Sequence, residues 1–184
     1  MESLFLRACR NQPIERVPVW LMRQAGRYMA EYRELRARHS FLELCKQPDL
    51  AAEVTLHARD VLQVDAAILF ADILLIVECL GLKLTFAKGD GPVISEAVRA
   101  PDAVARLPKQ IEVDYVYKAV SLIRKELPPE IALIGFAGAP FTVASYCVEG
   151  GSSREFLHTK RLMYCDFQAW DRLMSTLAEA TAEY

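Results

Sequence analysis

Residues 18–28 read PVWLMRQAGRY, a short apolar run that passes without a break into a glycine flanked by arginines. Residues 17–22 have the β-branched and aromatic make-up of a strand buried on both faces, interrupted only by Pro18. Arg23, Gln24, Ala25, Gly26 and Arg27 then set two permanent cations and an amide around a glycine that admits close backbone approach, the outline of an anion-binding loop. Two arginines four residues apart also fit one face of a surface helix with ordinary ion pairs. Their place directly after a strand weighs toward the loop, because parallel α/β sheets keep their ligand groups at strand ends.

The order of strand then loop recurs. Residues 66–70, AAILF, form an unbroken apolar run just before Asp72, and residues 131–136, IALIGF, run into the small-residue loop Ala137-Gly138-Ala139-Pro140. Helices are expected over residues 2–10 and 30–38, from the capping-box spacing of Ser40 and Glu43, and over 50–62 after Pro48. Residues 73–80 read as a buried segment closed by Gly81, and 83–86 with 92–94 as two short strands around the turn 88–91. Pro101 starts a short helix, residues 113–127 form a longer one stopped by Pro128 and Pro129, and 141–148 form another. Ser152 and Glu155 offer a second capping box for a helix over 154–164, and Asp166 caps a last helix that runs to Tyr184.

A strand followed by helices, three times over with long connections, implies right-handed crossovers and a parallel sheet covered by helices. Three strands make a small sheet, and a closed eight-stranded barrel takes about 250 residues. The 184 residues therefore read as a single incomplete α/β domain, the N-terminal portion of a (β/α)8 TIM-type barrel.

Composition bounds the function. With 53% hydrophobic residues, a mixed 25% charged surface and a formal net charge of −2, the chain has no general attraction to nucleic acid or an anionic membrane. Anion binding must come from local arginine placement. Five cysteines, odd in number and without a C-x-x-C pair, read as reduced thiols of a cytoplasmic protein. The opening MESLFLRACRN is too charged for a signal peptide, and the apolar run 73–77 is far too short to span a membrane.

If the strands are parallel, one end of the sheet gathers Arg23 and Arg27, then Asp72, then the 137–140 loop with Tyr146 two turns into its helix. An aspartate before an apolar helix is often a plain N-cap, and a tyrosine in FTVASYCV is often a core aromatic. His39, His57 and His158 fall away from strand ends and read as ordinary residues, and no metal-type cluster is seen. Gly135 and Gly138 do not make a dinucleotide fingerprint, because Phe141 stands where the third glycine should be.

PVWLMRQAGRY, AAILFADIL and GFAGAPFTVASYCVEGGSS, in this order and spacing, closely resemble the uroporphyrinogen decarboxylase family of the haem pathway. The resemblance covers essentially the whole chain and about the N-terminal half of the family sequence. Ala71, where the family often has serine, and Met29-Ala30, where leucine-proline is usual, depart from it. It implies a homodimeric (β/α)8 barrel that converts uroporphyrinogen III to coproporphyrinogen III by removing four acetate carboxyls, without metal or organic cofactor. By the same resemblance residues 23–27 are the substrate loop, Asp72 the central carboxylate and Tyr146 a cleft hydroxyl. Arg23 is a candidate proton donor, and Arg36 a further carboxylate contact. A serine and a histidine from the family's C-terminal half have no counterpart here, so the 184-residue chain alone is expected to be inactive.

Two other classes compete. A corrinoid or coenzyme-M methyltransferase on the related barrel would be expected to show a zinc site of His and Cys and to lack RQAGR. A non-catalytic tetrapyrrole-binding protein would keep the arginine loop without needing Asp72 for turnover.

Overall fold

A computed structural model describes residues 2–87, 91–108 and 110–184, so Lys88, Gly89 and Asp90 of the expected turn lie outside the described residues. The architecture is α/β. The chain divides into two compact units, one of Met1–Ala71 with Asp114–Phe136, the other of Asp72–Val113 with Ala137–Tyr184.

In the first unit β1 (Ala66–Ile68) pairs in parallel with β4 (Ala132–Ile134), Ala67 opposite Leu133, and Leu69 N–H extends the ladder to Ile134 O at 3.0 Å. In the sequence α4 (Pro48–Leu62) precedes β1, and α7 (Asp114–Glu126), which lies between the two strands and precedes β4, packs on α4. Ala51, Ala52 and Ala58 line the buried face of α4, small enough to let that helix sit close. Pro48 occupies its first turn, as expected. Arg124 ends α7 by donating to the carbonyls of Leu127, Pro128 and Ile131, which fixes the turn into β4. Around α2 (Ala30–Arg38) and α3 (Phe41–Lys46), Met29, Tyr32, Leu35, Leu44, Val54 and Ala58 form one core cluster. Phe70 meets Tyr32 and Phe41 edge-on, with ring centroids 5.7 Å apart in each pair. The Ser40–Glu43 capping box forms in full.

Residues 17–22 do not form the expected buried strand. They run irregular and exposed, with Val17 and Met22 each 77% accessible. A strand needs a ladder, and here Pro18 lacks a donor while, among the described residues of the segment, only Val19 makes a hydrogen bond to main chain elsewhere. Its carbonyl accepts from Asp65 N–H at 2.8 Å and its N–H donates to Asp65 Oδ2 at 2.7 Å. Asp65 in turn holds Arg16 in a two-pronged ion pair. The short helix α1 (Leu4–Cys9) precedes this segment.

In the second unit β2 (Leu84–Ala87) and β3 (Gly91–Ile94) form the expected antiparallel pair, and α5 (Leu75–Cys79) is the expected buried segment. α8 (Pro140–Glu149) packs on α10 (Phe167–Glu183), whose buried stripe includes Trp170, Leu173 and Leu177. α10 also packs on α6 (Pro101–Ala105) and is capped by Asp166, as expected. Gly150, at φ 83°, ends α8, and its carbonyl accepts from Ile94 N–H at 2.9 Å. Arg99 closes the same helix end by donating to Val148 O and Glu149 O.

The second capping box does not form. α9 begins at Leu157, after Phe156 in the left-handed region, and runs to Cys165. Gly151 bridges to Val93, which keeps the chain extended beside β3. Glu149 instead supplies the acceptor for α9, taking both Thr159 N–H and the Thr159 hydroxyl at 2.8 Å.

Candidate active site

The arginine loop, in the first unit, is held by its own backbone. Gln24 is only 2% exposed. Its Nε2 donates to Ala66 O at 2.6 Å and its Oε1 accepts from Ile68 N–H at 3.0 Å, so both ends of the carboxamide bind β1. The Tyr28 hydroxyl donates to the carbonyls of Arg23 and Gln24, and Arg33 Nη1 donates to the carbonyls of Arg27 and Tyr28 at 2.8 and 3.0 Å. Gly26 is tightly enclosed, since a Cβ there would stand 3.0 Å from the Tyr28 ring. The side chains of Arg23 and Arg27 are exposed, and among the described residues neither has a hydrogen bond or an ion pair. Every part of the loop except its two guanidiniums is therefore committed to scaffolding. Two exposed guanidiniums on a held loop suit the geometry of carboxylate or phosphate groups.

Arg36 differs from them. It is half-buried, donates to His39 O and hydrogen-bonds the Tyr32 phenol, whose pKa is pushed up by burial despite the nearby guanidinium. Arg33 and Thr55 were not singled out by sequence. Thr55 is buried, its hydroxyl accepts from Phe70 N–H at 2.9 Å, and it thereby secures the residue that follows β1.

In the second unit Asp72 is half-buried, and its Oδ1 accepts from Leu74 N–H at 2.8 Å, two residues on. It forms a local turn and is not the N-cap of α5, a place taken by Leu74. Burial raises its pKa above the ordinary carboxylate value, the Leu74 N–H opposes that only partly, and among the described residues no cation offsets it. Gly138 touches the residue next to Asp72, since a Cβ there would lie 3.2 Å from Ile73 Cβ and 2.8 Å from Val143 Cγ2. The segments that follow β1 and β4 in the chain thus meet, and only glycine fits at the contact.

Tyr146 is half-buried and is not a sealed core aromatic; among the described residues its hydroxyl has no partner. It lines a cleft of about 270 Å³ with Phe141, Thr142 and Ser145 of α8 and with Ser152, Ser153 and Phe156 from the turn beyond it. Asp72 is not among the residues lining that cleft. Among the described residues no group of three or more His, Cys, Asp or Glu is arranged to hold a metal ion. No helix is long and apolar enough to cross a membrane, again among the described residues.

A parallel strand pair with helices packed about it defines an α/β protein. The structural likeness agrees: a methyltransferase from Methanosarcina mazei superposes with a TM-score of 0.69 at 19% identity, over 98% of this chain and 53% of that one. At that identity the likeness concerns the fold alone. The family model for uroporphyrinogen decarboxylase (URO-D) matches residues 1–184, and the chain belongs to that family. Curated uroporphyrinogen decarboxylases from Sorangium cellulosum and Chloroflexus aggregans are 56% and 54% identical to it over 97% and 100% of its length. One from Solibacter usitatus is 51% identical over 100%. The chain spans about half the length of these relatives, 52% to 54% of each.

Proposed function

We propose that this chain is the N-terminal portion of a single-domain (β/α)8 barrel whose whole protein is a carboxy-lyase acting on uroporphyrinogen III. It removes the four acetate carboxyls as carbon dioxide to give coproporphyrinogen III, with no metal or organic cofactor. The full-length protein is read as a cytoplasmic homodimer. Family membership supports this reading, as does the parallel β1–β4 pair with helices between its strands. The exposed apolar residues Val17 and Met22 offer surface for the strands that would complete the barrel.

The single observation that carries the mechanism is Asp72, a half-buried carboxyl with a raised pKa and, among the described residues, no cation beside it. Such a group is short of donors until a ligand brings them. A tetrapyrrole presents pyrrole N–H groups on its inner face, and one carboxylate accepts several at once. Decarboxylation needs a sink for the electrons of the breaking C–C bond. Protonation of a pyrrole carbon makes the ring that sink; carbon dioxide leaves, the pair flows into the ring, and a proton then converts the exocyclic methylene to a methyl while the proton on the ring carbon is lost, which restores the pyrrole. The cationic ring is stabilised by Asp72. At about 4 Å and an effective dielectric near 20 such a pair contributes roughly 4 kcal/mol, about a thousandfold in rate if realised only in the transition state.

Arg23 and Arg27 take the peripheral carboxylates, with Gln24, Ala25 and Gly26 completing the loop. Arg23 is also the catalytic cation at the reacting acetate, orienting the proton source, because a guanidinium is itself a very weak acid. Arg36 uses its remaining donors for a further carboxylate, and the Tyr146 hydroxyl contacts the macrocycle.

The test is turnover of uroporphyrinogen by the full-length protein and its Asp72→Asn variant. Turnover is expected to fall about a thousandfold while affinity for uroporphyrin, the unreactive macrocycle with the same carboxylates, changes little. The 184-residue chain alone is expected to be inactive. Uroporphyrin binding without turnover in the wild type would favour a non-catalytic tetrapyrrole-binding protein, and unchanged turnover in Asp72→Asn would take the chemistry away from this residue.

A further inference from the structure

We propose that Gln24 is a positioning residue. Its carboxamide seats the arginine loop on the outer edge of β1, and it acts on an anionic substrate only through Arg23 and Arg27. The identity of that substrate rests on the function proposed above; the docking of Gln24 does not.

Leu69 N–H donates to Ile134 O on β4. Backbone groups alternate sides along a strand, so Ile68 N–H and Ala66 C=O face the opposite edge. There a neighbouring strand would offer one acceptor and one donor. The Gln24 carboxamide offers the same two, with Oε1 at 3.0 Å from Ile68 N and Nε2 at 2.6 Å from Ala66 O. Few side chains could replace it. Glutamate lacks the donor, lysine and arginine lack the acceptor, and asparagine is one methylene short. The bonds join residues 42 and 44 positions apart, so they fix the loop against β1 and do not merely shape it locally.

A substrate contact would need a free polar atom, and at 2% exposure with both ends engaged the Gln24 side chain presents none. Its neighbours in the loop are the opposite. Arg23 immediately before it and Arg27 three residues after it are exposed and, among the described residues, unpartnered. The Tyr28 and Arg33 bonds to the loop carbonyls set the loop's own shape, and among the described residues of the loop it is Gln24 that hydrogen-bonds that shape to β1. Moving the anchor moves both guanidiniums together.

The experiment is a mutant cycle in the full-length protein, with Gln24→Leu, the pair Arg23→Ala and Arg27→Ala, and all three changes combined. Uroporphyrin affinity is read by fluorescence titration and Ile68 amide exchange by mass spectrometry or NMR. Gln24→Leu is expected to weaken uroporphyrin binding about tenfold to a hundredfold. In the background lacking both arginines the same change should cost less than about twofold. Ile68 exchange should accelerate on the order of tenfold in both backgrounds. An equal loss in both backgrounds would mean that Gln24 acts for itself or through the fold as a whole, and would overturn the proposal. Unchanged Ile68 exchange would overturn the docking. If Gln24→Leu does not fold, Gln24→Glu, which keeps the acceptor for Ile68 N–H, enters the same cycle. A wild-type protein that bound no uroporphyrin would sink the functional reading and the substrate half of this proposal, while Ile68 exchange would still decide the docking.

Discussion

The arginine loop and the Asp72 turn solve opposite electrostatic problems. In the loop the backbone is pinned by Gln24, Tyr28 and Arg33, and the charges of Arg23 and Arg27 stand in water. At Asp72 the charge itself is drawn out of water and has one backbone N–H for company. Solvated cations cost the free protein almost nothing and wait for a polyanion. A desolvated acid is costly in the free protein, and that cost is relieved only when donors or positive charge arrive. The first arrangement favours capture. The second favours a state that develops positive charge, which is the distinction between binding energy and rate acceleration.

If the contrast holds, changes at Asp72 should act on rate, changes at Arg27 on affinity, and changes at Arg23, which is also proposed to serve the reacting acetate, on both. After the loss of turnover in Asp72→Asn, the largest effect is expected from replacing both Arg23 and Arg27 by alanine. Each removes a charge-assisted contact of roughly 1.5–3 kcal/mol, so uroporphyrin affinity of the full-length protein should fall a hundredfold or more. The dependence of binding on salt should flatten as well, because exposed charges are screened within about 10 Å at 0.1 M salt. Titration at low and high ionic strength checks both. If the variant still bound as tightly, or kept the steep salt dependence, the loop would not be the capture site.

A smaller effect appears in the pH dependence. The raised pKa of Asp72 means that the carboxylate form, which the proposed mechanism requires, is reached only above the ordinary aspartate range. The acid limb of kcat/KM is therefore expected above the ordinary aspartate value of about 3.9, and it should disappear from the residual activity of Asp72→Asn. A limb that persists unchanged in that variant would assign it to another group.

How much of this could be read from the chain follows from the range of the interactions. The runs AAILF and IALIGF gave β1 and β4 because unbroken apolar stretches of that length suit a strand buried on both faces. Residues 17–22 read the same way and are not a strand, because composition does not count backbone partners and, among the described residues of that segment, only Val19 bonds to main chain elsewhere. Two Ser-x-x-Glu spacings looked equal. The one at Ser40 caps a helix, while the one at Ser152 is overruled by the bridge between Gly151 and Val93, from a distant part of the chain. Arg23, Arg27, Asp72 and Tyr146 stand out by residue type and by an expected place after a strand, a place that the fold gives Asp72 and Tyr146 through β1 and β4 but does not give the two arginines. The anchoring by Gln24 and the work of Arg33 do not stand out in this way, since each depends on which carbonyl the fold brings within reach.

The smallest expected effect is on stability, and its sign separates the two regions most cleanly. A carboxyl whose folded pKa is raised contributes stability that is full below the unfolded value and is lost as pH rises through the folded value. At neutral pH ionised Asp72 therefore weighs against folding, with only the Leu74 N–H to relieve it. Asparagine keeps an acceptor for that N–H and carries no charge. Asp72→Asn should thus be more stable than wild type at neutral pH by roughly 0.5–2 kcal/mol, the usual yield of relaxing a site held for function. The advantage should shrink as pH falls through the acid range and vanish below about pH 3.9, where Asp72 is protonated in both states. Arg23→Ala and Arg27→Ala remove solvated charges and should leave stability nearly unchanged at every pH. Denaturant titrations from acid to neutral pH would check all three. An Asp72→Asn variant destabilised equally across that range would show that the carboxylate holds the turn together, and would end the claim that the free protein carries it at a cost.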